Sequence, residues 1–356
     1  MLALLKKPVV RRLALGTAVV VAIGGATWIV AATQGTAPAS SDGGPAAAPL
    51  WSVPGSGVPS ARPSAVPSGS AGPSTTPSPS AKASATSKPA QSKRPSAPKS
   101  RGSFPSAGNT GVPSSKKLKA PSSSTVRVRK AGTVIDGVDM RTDISVEADN
   151  VTIKNSRFIV GGEWAIIQRE GADGLTVQDS EIRGNGSDRL QHAIFNQGGD
   201  IRILRNDMSI ASDPISTSQG LIQDNYLHDP IYFDGDHTDM IQSNSGPPSG
   251  RQLVIRHNTV INTLDQTAAI ALFQDFGVQH SAVIENNLLA GGGYALYGGA
   301  GKMGTAHNIK VIDNVFSREV YKSSGAFGPV AYWDKNGSGN VWEGNVFDDG
   351  KAVNPD

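Results

Sequence analysis

One short segment recurs through the second half of the chain and restricts the possible folds more than any other feature. Each copy alternates apolar or β-branched residues with polar ones, and then carries two polar residues and a further apolar one. Clear copies read VTIKNSRF from Val151, IRILRNDM from Ile201, LVIRHNTV from Leu253 and IKVIDNVF from Ile309. Alternation with a period of two and this residue usage indicate β-strands rather than helices.

The spacing of the copies predicts how the strands are arranged. The sixth position of successive copies is separated by 19 to 33 residues, which suits one turn of a solenoid with loops of variable length. A β-sandwich would need hairpin signals every ~8–12 residues, and the sequence lacks them. The sequence therefore predicts an all-β, single-stranded right-handed parallel β-helix of about nine turns over residues 126–356. The sixth positions are Gly137, Ser156, Ser180, Asn206, Asn225, Asn258, Asn287, Asn314 and Asn345.

Asparagine at the sixth position has a physical reason. It tolerates the left-handed backbone conformation that a sharp corner requires. When turns stack ~4.8 Å apart, its amide can also form hydrogen bonds to the corners above and below. We expect a ladder of asparagine side chains along the solenoid.

A second strand follows each corner, and its alternation predicts which side chains face outward. The third column of the aligned strands is apolar and should face the core, whereas the second and fourth should face solvent. The third column is Ile166, Ile194, Ile215, Met240, Leu272 and Leu296. The second column is Ala165, Ala193, Pro214, Asp239, Ala271 and Ala295, and the fourth includes Phe195, Phe273 and Tyr297. Exposed aromatic residues in line predict a surface that binds sugar rings, unless a loop covers them.

Asp239 stands out because it replaces a small residue in the second column. It lies in the segment DGDHTDMIQ, residues 234–242. One interpretation is a Ca²⁺ site formed by Asp234, Asp236 and Asp239. Another is an acid–base pair in which His237 moves the proton and Asp239 orients it. A third is an acidic loop without a function.

Residues near this segment extend the candidate site. Arg189 is the third catalytic candidate, and His192, Gln242 and Tyr232 join the aromatic residues as candidates for substrate binding. Alternation points His192 and Asp213 toward the interior, where they would be core polar groups with satisfied hydrogen bonds. Both interpretations of His192 stay open.

The first 125 residues differ sharply in composition from the rest. Lys6, Lys7, Arg11 and Arg12 precede an uncharged apolar run over 13–32, which predicts a membrane anchor or a signal peptide in residues 1–32. Residues 33–125 are rich in Pro, Ser and Ala and are predicted to form a disordered linker. The domain is therefore expected outside the cell, either anchored or secreted.

The charge of the chain is unevenly distributed. Residues 1–125 hold 14 of the 33 Lys and Arg and one of the 30 Asp and Glu, so residues 126–356 hold 19 basic and 29 acidic residues. The predicted β-helix is acidic, which argues against a nucleic-acid partner. The chain has no Cys, so neither disulfides nor thiol chemistry are expected.

Residues 126–356 resemble the pectate-lyase-like right-handed parallel β-helix proteins, and in particular an uncharacterised branch from high-GC Gram-positive bacteria. The resemblance rests on the repeated corners, on residues 237–242 and on the closing GNVF segment at 344–347. It implies a polysaccharide or cell-envelope glycan as partner, without fixing a reaction. Lyases of this superfamily use a Lys or Arg base, and the outward columns contain neither. Hydrolases of the polygalacturonase type need paired Asp residues on neighbouring turns, and the sequence shows no matching motif.

The sequence thus predicts an envelope-displayed or secreted protein that binds a polysaccharide, with cleavage by a lyase or hydrolase mechanism as an open question. The alternative is a noncatalytic glycan-binding adhesin or a structural scaffold.

Overall fold

The computed structural model describes residues 104–121 and 126–355. These residues form 27 β-strands and no helix, and the strands make three parallel sheets of nine strands each. Each turn adds one strand to every sheet, so the chain forms a parallel β-helix of nine turns. The all-β solenoid predicted from the repeats is confirmed at this level.

The strands of sheet I are β1 (Val126–Val128), β4 (Ile144–Val146), β7 (Gly162–Gln168), β10 (Leu190–Asn196), β13 (Ile215–Ser216), β16 (Asp239–Ser243), β19 (Ala268–Leu272), β22 (Tyr294–Gly298) and β25 (Gly328–Ala331). The strands of sheet II are β2 (Val134–Asp136), β5 (Thr152–Lys154), β8 (Leu175–Gln178), β11 (Ile201–Leu204), β14 (Gly220–Gln223), β17 (Leu253–Arg256), β20 (His280–Glu285), β23 (His307–Ile312) and β26 (Val341–Glu343). The strands of sheet III are β3 (Asp139–Met140), β6 (Arg157–Val160), β9 (Glu181–Gly184), β12 (Asp207–Ser209), β15 (Tyr226–His228), β18 (Thr259–Asn262), β21 (Leu288–Gly291), β24 (Val315–Phe316) and β27 (Val346–Phe347).

Each sequence repeat spans a strand of sheet II, a corner and a strand of sheet III. The inward residues of sheet II lie in register, so the same apolar position recurs at every turn of a continuous core. Burial of each such side chain contributes about 1.5–3 kcal/mol. Those from the second to the eighth turn are Ile153, Val177, Ile203, Ile222, Ile255, Ile284 and Val311.

The predicted asparagine ladder is present at the sixth position. Asn258 is fully buried, its Nδ2 donates to Oδ1 of Asn287 at 3.0 Å, and Nδ2 of Asn225 donates to Oδ1 of Asn258 at 2.9 Å. The left-handed residue, however, is the preceding one. His257 has φ of 50° and Asn286 has φ of 53°, so the corner bends one residue before the asparagine, whose side chain points inward.

The column alignment in sheet I is correct for Ile166, Ile194, Ile215 and Leu296 and wrong for the two strands between Ile215 and Leu296. Ile166, Ile194 and Ile215 are in register and face the core, but the next partner of Ile215 is Ile241 rather than Met240. The partner of Ile241 is Ile270 rather than Leu272. The loops before β16 and β19 differ in length, so the sequence pattern alone placed these two strands one and two residues out of register.

Three members of the predicted second column face the core rather than solvent. Ala165, Ala193 and Ala295 belong to the core cluster together with the apolar residue that follows each of them. Two consecutive inward residues break the alternation, so the strands of sheet I bend at this point. Small side chains fit the inside of the bend.

Residues 104–121, which composition placed in the linker, lie along sheet III and are called the strap below. Phe104 packs with Leu288 and Val315, and the hydroxyl of Thr259 donates to the carbonyl of Pro105 at 2.7 Å. At the other end Lys119 forms a bridge with Val138 in the first turn. The strap therefore runs from the later turns back to the first.

In the described residues there is no helix long and apolar enough to cross a bilayer. The predicted anchor or signal segment and most of the predicted linker lie outside the described residues.

Candidate functional site

The outer face of sheet I brings together two carboxyl groups from neighbouring turns. The pairing of Ile215 with Ile241 places Asp213 beside Asp239, because each Asp precedes its Ile by two residues. The main-chain N–H of Asp239 donates to Oδ1 of Asp213 at 3.0 Å, and Nε2 of Gln191 donates to Oδ2 of Asp213. Asp213 is 4% exposed and Asp239 is 2% exposed.

The burial of this pair changes its protonation. The pKa of Asp213 is raised to about 7, mainly by loss of hydration and to a smaller extent by the negative charge of Asp236, while the hydrogen bonds that it accepts and the charge of Arg189 oppose the rise. Burial and the charge of Asp213 raise the pKa of Asp239 well above its usual range. Two carboxyl groups in such an environment cannot both ionise easily, so the pair retains a proton near neutral pH.

Three buried oxygens around the pair have no hydrogen-bond partner. They are Oδ1 of Asp239, Oδ2 of Asp236 and Oε1 of Gln191. Buried acceptors normally find a donor in the protein or in ordered water. The site therefore has acceptors to spare, and it can receive hydroxyl or amine donors from a ligand.

His192 lies on this outer face rather than in the core. Its ring is partly exposed and stacks on Phe195 with centroids 4.8 Å apart. Its Nδ1 is 3.0 Å from the carbonyl oxygen of Asp213, and burial lowers the pKa of His192 to about 4. The neutral ring therefore carries its proton on Nδ1, because a carbonyl can only accept, and Nε2 is left as an acceptor.

An ion pair ties two loops together beside the carboxyl pair. Nη2 of Arg189, which precedes β10, is 2.7 Å from Oδ1 of Asp236, which lies in the loop before β16. The Asp236 side chain is 2% exposed. The hydroxyl of Ser212 also donates to the main-chain carbonyl of His237 at 2.9 Å. We call residues 229–238 the site loop and the Arg189–Asp236 ion pair its latch.

The remaining candidates from residues 232–242 are not gathered at one point. The side chains of His237 and Asp234 are exposed, and Tyr232 is 44% exposed on the site loop. Gln242 is half-buried and lies in register with Ser216. Among the described residues, no three His, Cys, Asp or Glu side chains converge as metal ligands, and Asp236 is already paired with Arg189.

The aromatic residues form two groups rather than one strip. Phe195 contacts Trp164 and His192 in the third and fourth turns. Phe273 contacts Tyr297 edge-on at 5.8 Å in the seventh and eighth turns, although the register places the two rings in different columns. Burial raises the pKa of Tyr297 to about 12. The positions between Phe195 and Tyr297 in their column are Ser216, Gln242 and Ala271.

The alignment errors therefore hid the most distinctive part of the site. The inference that no Asp pair lies on neighbouring turns is wrong, as is the inward placement of Asp213 and His192. A signal was present, because Asp213-Pro-Ile215 and Asp239-Met-Ile241 share an Asp-x-Ile pattern. Gln191 carried no such signal.

Comparisons with protein-family models, with curated proteins and with solved structures find no match to this chain.

Proposed function

We propose that this chain is an exported protein that binds a polysaccharide on the outer face of sheet I and hydrolyses it with Asp213 and Asp239. The observation that carries the proposal is the buried carboxyl pair on adjacent turns, which retains a proton near neutral pH. Glycoside hydrolysis commonly needs one carboxyl group that donates a proton and a second that acts as a base or nucleophile. We also retain the right-handed winding and the relation to pectate-lyase-like proteins as part of the proposal, since parallel crossovers are nearly always right-handed.

The environments of the two groups suggest their roles. Asp213 accepts hydrogen bonds from the Asp239 main chain and from Gln191, and bonds of this kind favour its ionised form. Asp239 is more deeply buried, and its Oδ1 has no donor, so it is the better holder of the proton. In the proposed step Asp239 protonates the glycosidic oxygen as the bond to the anomeric carbon breaks. A water attacks that carbon and gives its proton to Asp213.

Substrate access requires movement of the site loop. The pair is almost fully buried, and burial is the main cause of the raised pKa of Asp213. The latch also holds Asp236 close enough for its negative charge to raise that pKa further. Opening the Arg189–Asp236 ion pair would free the loop. Arg189 is thus assigned to positioning rather than to proton abstraction, and this assignment favours a hydrolase over a lyase.

Ca²⁺ remains a prediction from the acidic segment, and no step is routed through it because the described carboxylates do not form a ligand set. Activity measured with added calcium and with a chelator would test it. The membrane anchor and the extracellular location also remain proposals, which fractionation of expressing cells would test.

The central experiment measures new reducing ends across a panel of polysaccharides. Asp239→Asn and Asp213→Asn should each lower turnover at least ~100-fold. Glu170→Gln is the control, because Glu170 is exposed and lies outside the acidic segment, and it should retain activity. Full activity in both site variants would exclude the pair from the chemistry, and an ultraviolet-absorbing unsaturated product would indicate a lyase.

A noncatalytic glycan-binding role is the second candidate, and the partly exposed aromatic residues favour it. It predicts retention of the protein on a glycan column, weakened by Phe273→Ala, with no product from any substrate. Loss of turnover in Asp239→Asn would argue against this role.

A further inference from the structure

The last two turns of sheet I contain a surface cleft of about 390 Å³, a size typical of small-ligand sites. Every residue that lines it is uncharged at neutral pH, although residues 126–356 carry ten more acidic than basic side chains. The lining residues are Tyr294, Phe327, Gly328, Pro329, Val330, Ala331, Tyr332 and Trp333.

The rings in and beside the cleft support one another. Tyr294 contacts Phe327 with centroids 6.1 Å apart, and Tyr297, behind them, contacts Tyr332 edge-on at 5.0 Å. Phe327 is 71% exposed and Tyr332 is 55% exposed. Rings braced in this way present apolar faces to solvent and lose little conformational freedom when a ligand binds.

Tyr332 also has an uncommon backbone conformation. Its φ is 55°, in the left-handed region that costs a non-glycine residue about 1–2 kcal/mol. The turn after β25 places this ring beside Tyr297.

The strand register connects the cleft to the carboxyl pair. Asp239 pairs with Ala268, Ala268 pairs with Tyr294, and Tyr294 pairs with Gly328 of the cleft. At ~4.8 Å per strand, Tyr294 lies roughly 10 Å from Asp239 along the solenoid axis. A polymer aligned with the axis and cleaved at the pair would reach the cleft within a few sugar units.

We propose that this cleft binds uncharged sugar units of the same polysaccharide chain. The substrate then lies along the solenoid axis, and the sugar units between the carboxyl pair and the cleft carry no charge. The inference rests on the proposed function for the identity of the ligand. Aromatic rings match the C–H faces of sugar rings, and the Tyr hydroxyls and main-chain groups of the lining can bond sugar hydroxyls. The lining offers no cation to neutralise a uronate.

The test uses the full chain with Asp239→Asn, which prevents turnover. Binding is followed by the change in tryptophan fluorescence, to which Trp333 in the cleft wall contributes. Neutral cello-, xylo- and manno-oligosaccharides are titrated in parallel with oligogalacturonates of equal length. We expect at least one neutral series to bind more tightly than the charged series. Tyr332→Ala and Phe327→Ala should each weaken that binding about tenfold or more, as measured by calorimetry. Phe276→Ala is the matched control, because Phe276 is 76% exposed but does not line the cleft, and it should bind normally.

Several results would overturn the inference. They are no binding in any neutral series, tighter binding of oligogalacturonates, and unchanged affinity in both cleft variants. A change of oligomeric state in the cleft variants without loss of sugar binding would indicate self-association instead. Binding that depends on the cleft without cleavage by the unmodified chain would support the inference and contradict only the hydrolase. Cleavage by both cleft variants with the KM of the unmodified chain would contradict only the proposed binding of substrate in the cleft.

Discussion

The main-chain N–H of Asp239 donates a 3.0 Å hydrogen bond to Oδ1 of Asp213 on the preceding turn. The bond stabilises the ionised form of Asp213, whereas burial acts more strongly in the opposite direction and raises its pKa to about 7. One carboxyl group of the pair thus receives donors while Oδ1 of the other has none. This asymmetry can give two identical side chains different chemical roles.

The pair should make the stability of the β-helix fall as the pH rises from about 4 to 7. The pKa of Asp213 is raised on folding from 3.8 to about 7, so its contribution to stability is complete below about pH 3.8 and is lost as the pH rises from there through about 7. Asp239 shifts in the same direction. The pKa of His192 is lowered to about 4 on folding, which gives an opposite slope, but only between about pH 4 and 6.5. Urea unfolding should therefore show stability falling between about pH 4 and 7, most steeply above pH 6.5, where His192 no longer opposes the fall.

Asp213→Asn and Asp239→Asn should each make this fall smaller, because each variant removes one titrating group. Asp234→Asn removes an exposed carboxyl group from the same region and should leave the slope unchanged. Equal slopes in all of these proteins would contradict the assignment of the proton to the pair.

The two charged residues of the latch should shift the pKa of Asp213 in opposite directions. Asp236 raises the pKa of Asp213 and Arg189 lowers it, each by its charge, in addition to the larger effect of burial. Asp236→Asn should therefore lower the pKa of Asp213, and Arg189→Gln should raise it. Carbon-detected NMR titration of the Asp213 carboxyl group measures both shifts.

Both variants break the same ion pair, so each serves as a control for the other. A loop that merely opened would move the pKa of Asp213 in one direction in both variants. Shifts of opposite sign are expected only if the two charges act on Asp213 directly.

The solenoid could be predicted because stacking places equivalent residues of every turn in the same environment. A position that faces the core in one turn faces it in the next, so Ile203, Ile255 and Val311 appear at equivalent places in the sequence. The asparagine ladder is equally recognisable in the sequence, since each buried side-chain amide requires the amide of the next turn as a hydrogen-bond partner. The left-handed position was misplaced by one residue because Asn258 and His257 both suit a corner.

The site was less predictable because it depends on register between strands joined by loops of different length. A slip of one residue moves a side chain to the opposite face of a strand. The slip at Met240 separated Asp239 from Asp213 in the alignment. The strap escaped notice for another reason, since a few anchoring residues such as Phe104 hold it and it has no periodic pattern.

The asparagine ladder should contribute strongly to stability in the middle of the solenoid. Nδ2 of Asn258 donates to the carbonyl oxygens of Ile222 and Arg256 as well as to Asn287. Asn258→Ala leaves several buried groups without partners at about 1–3 kcal/mol each, so we expect a loss of about 3 kcal/mol or more. Urea unfolding followed by circular dichroism measures the change.

Asn286→Gly tests the neighbouring corner position. Asn286 is only partly buried and has φ of 53°, which glycine adopts without strain, so its replacement should change stability by less than about 1 kcal/mol. If the two substitutions had equal effects, the inward amide would not be the source of the stability.

The strap should be held to the β-helix mainly by Phe104. Its side chain is 4% exposed and packs against Leu288 and Val315, and its ring lies 5.7 Å from that of His257. Phe104→Ala should destabilise the docked strap by about 3 kcal/mol, in line with other buried Phe-to-Ala changes. Local opening should then become about 100-fold more frequent, since each 1.4 kcal/mol corresponds to a factor of about ten.

Trypsin measures this opening, because Lys116, Lys117 and Lys119 lie within the strap. Cleavage at these sites, followed by mass spectrometry, should accelerate in Phe104→Ala while the β-helix stays resistant. Phe276→Ala removes an exposed ring elsewhere and should leave the rate unchanged. Thr259→Val, which deletes the hydrogen bond to Pro105, should give a smaller acceleration because one such bond contributes about 1 kcal/mol. Rapid cleavage at these lysines in the unmodified chain would mean that the strap is not docked in solution.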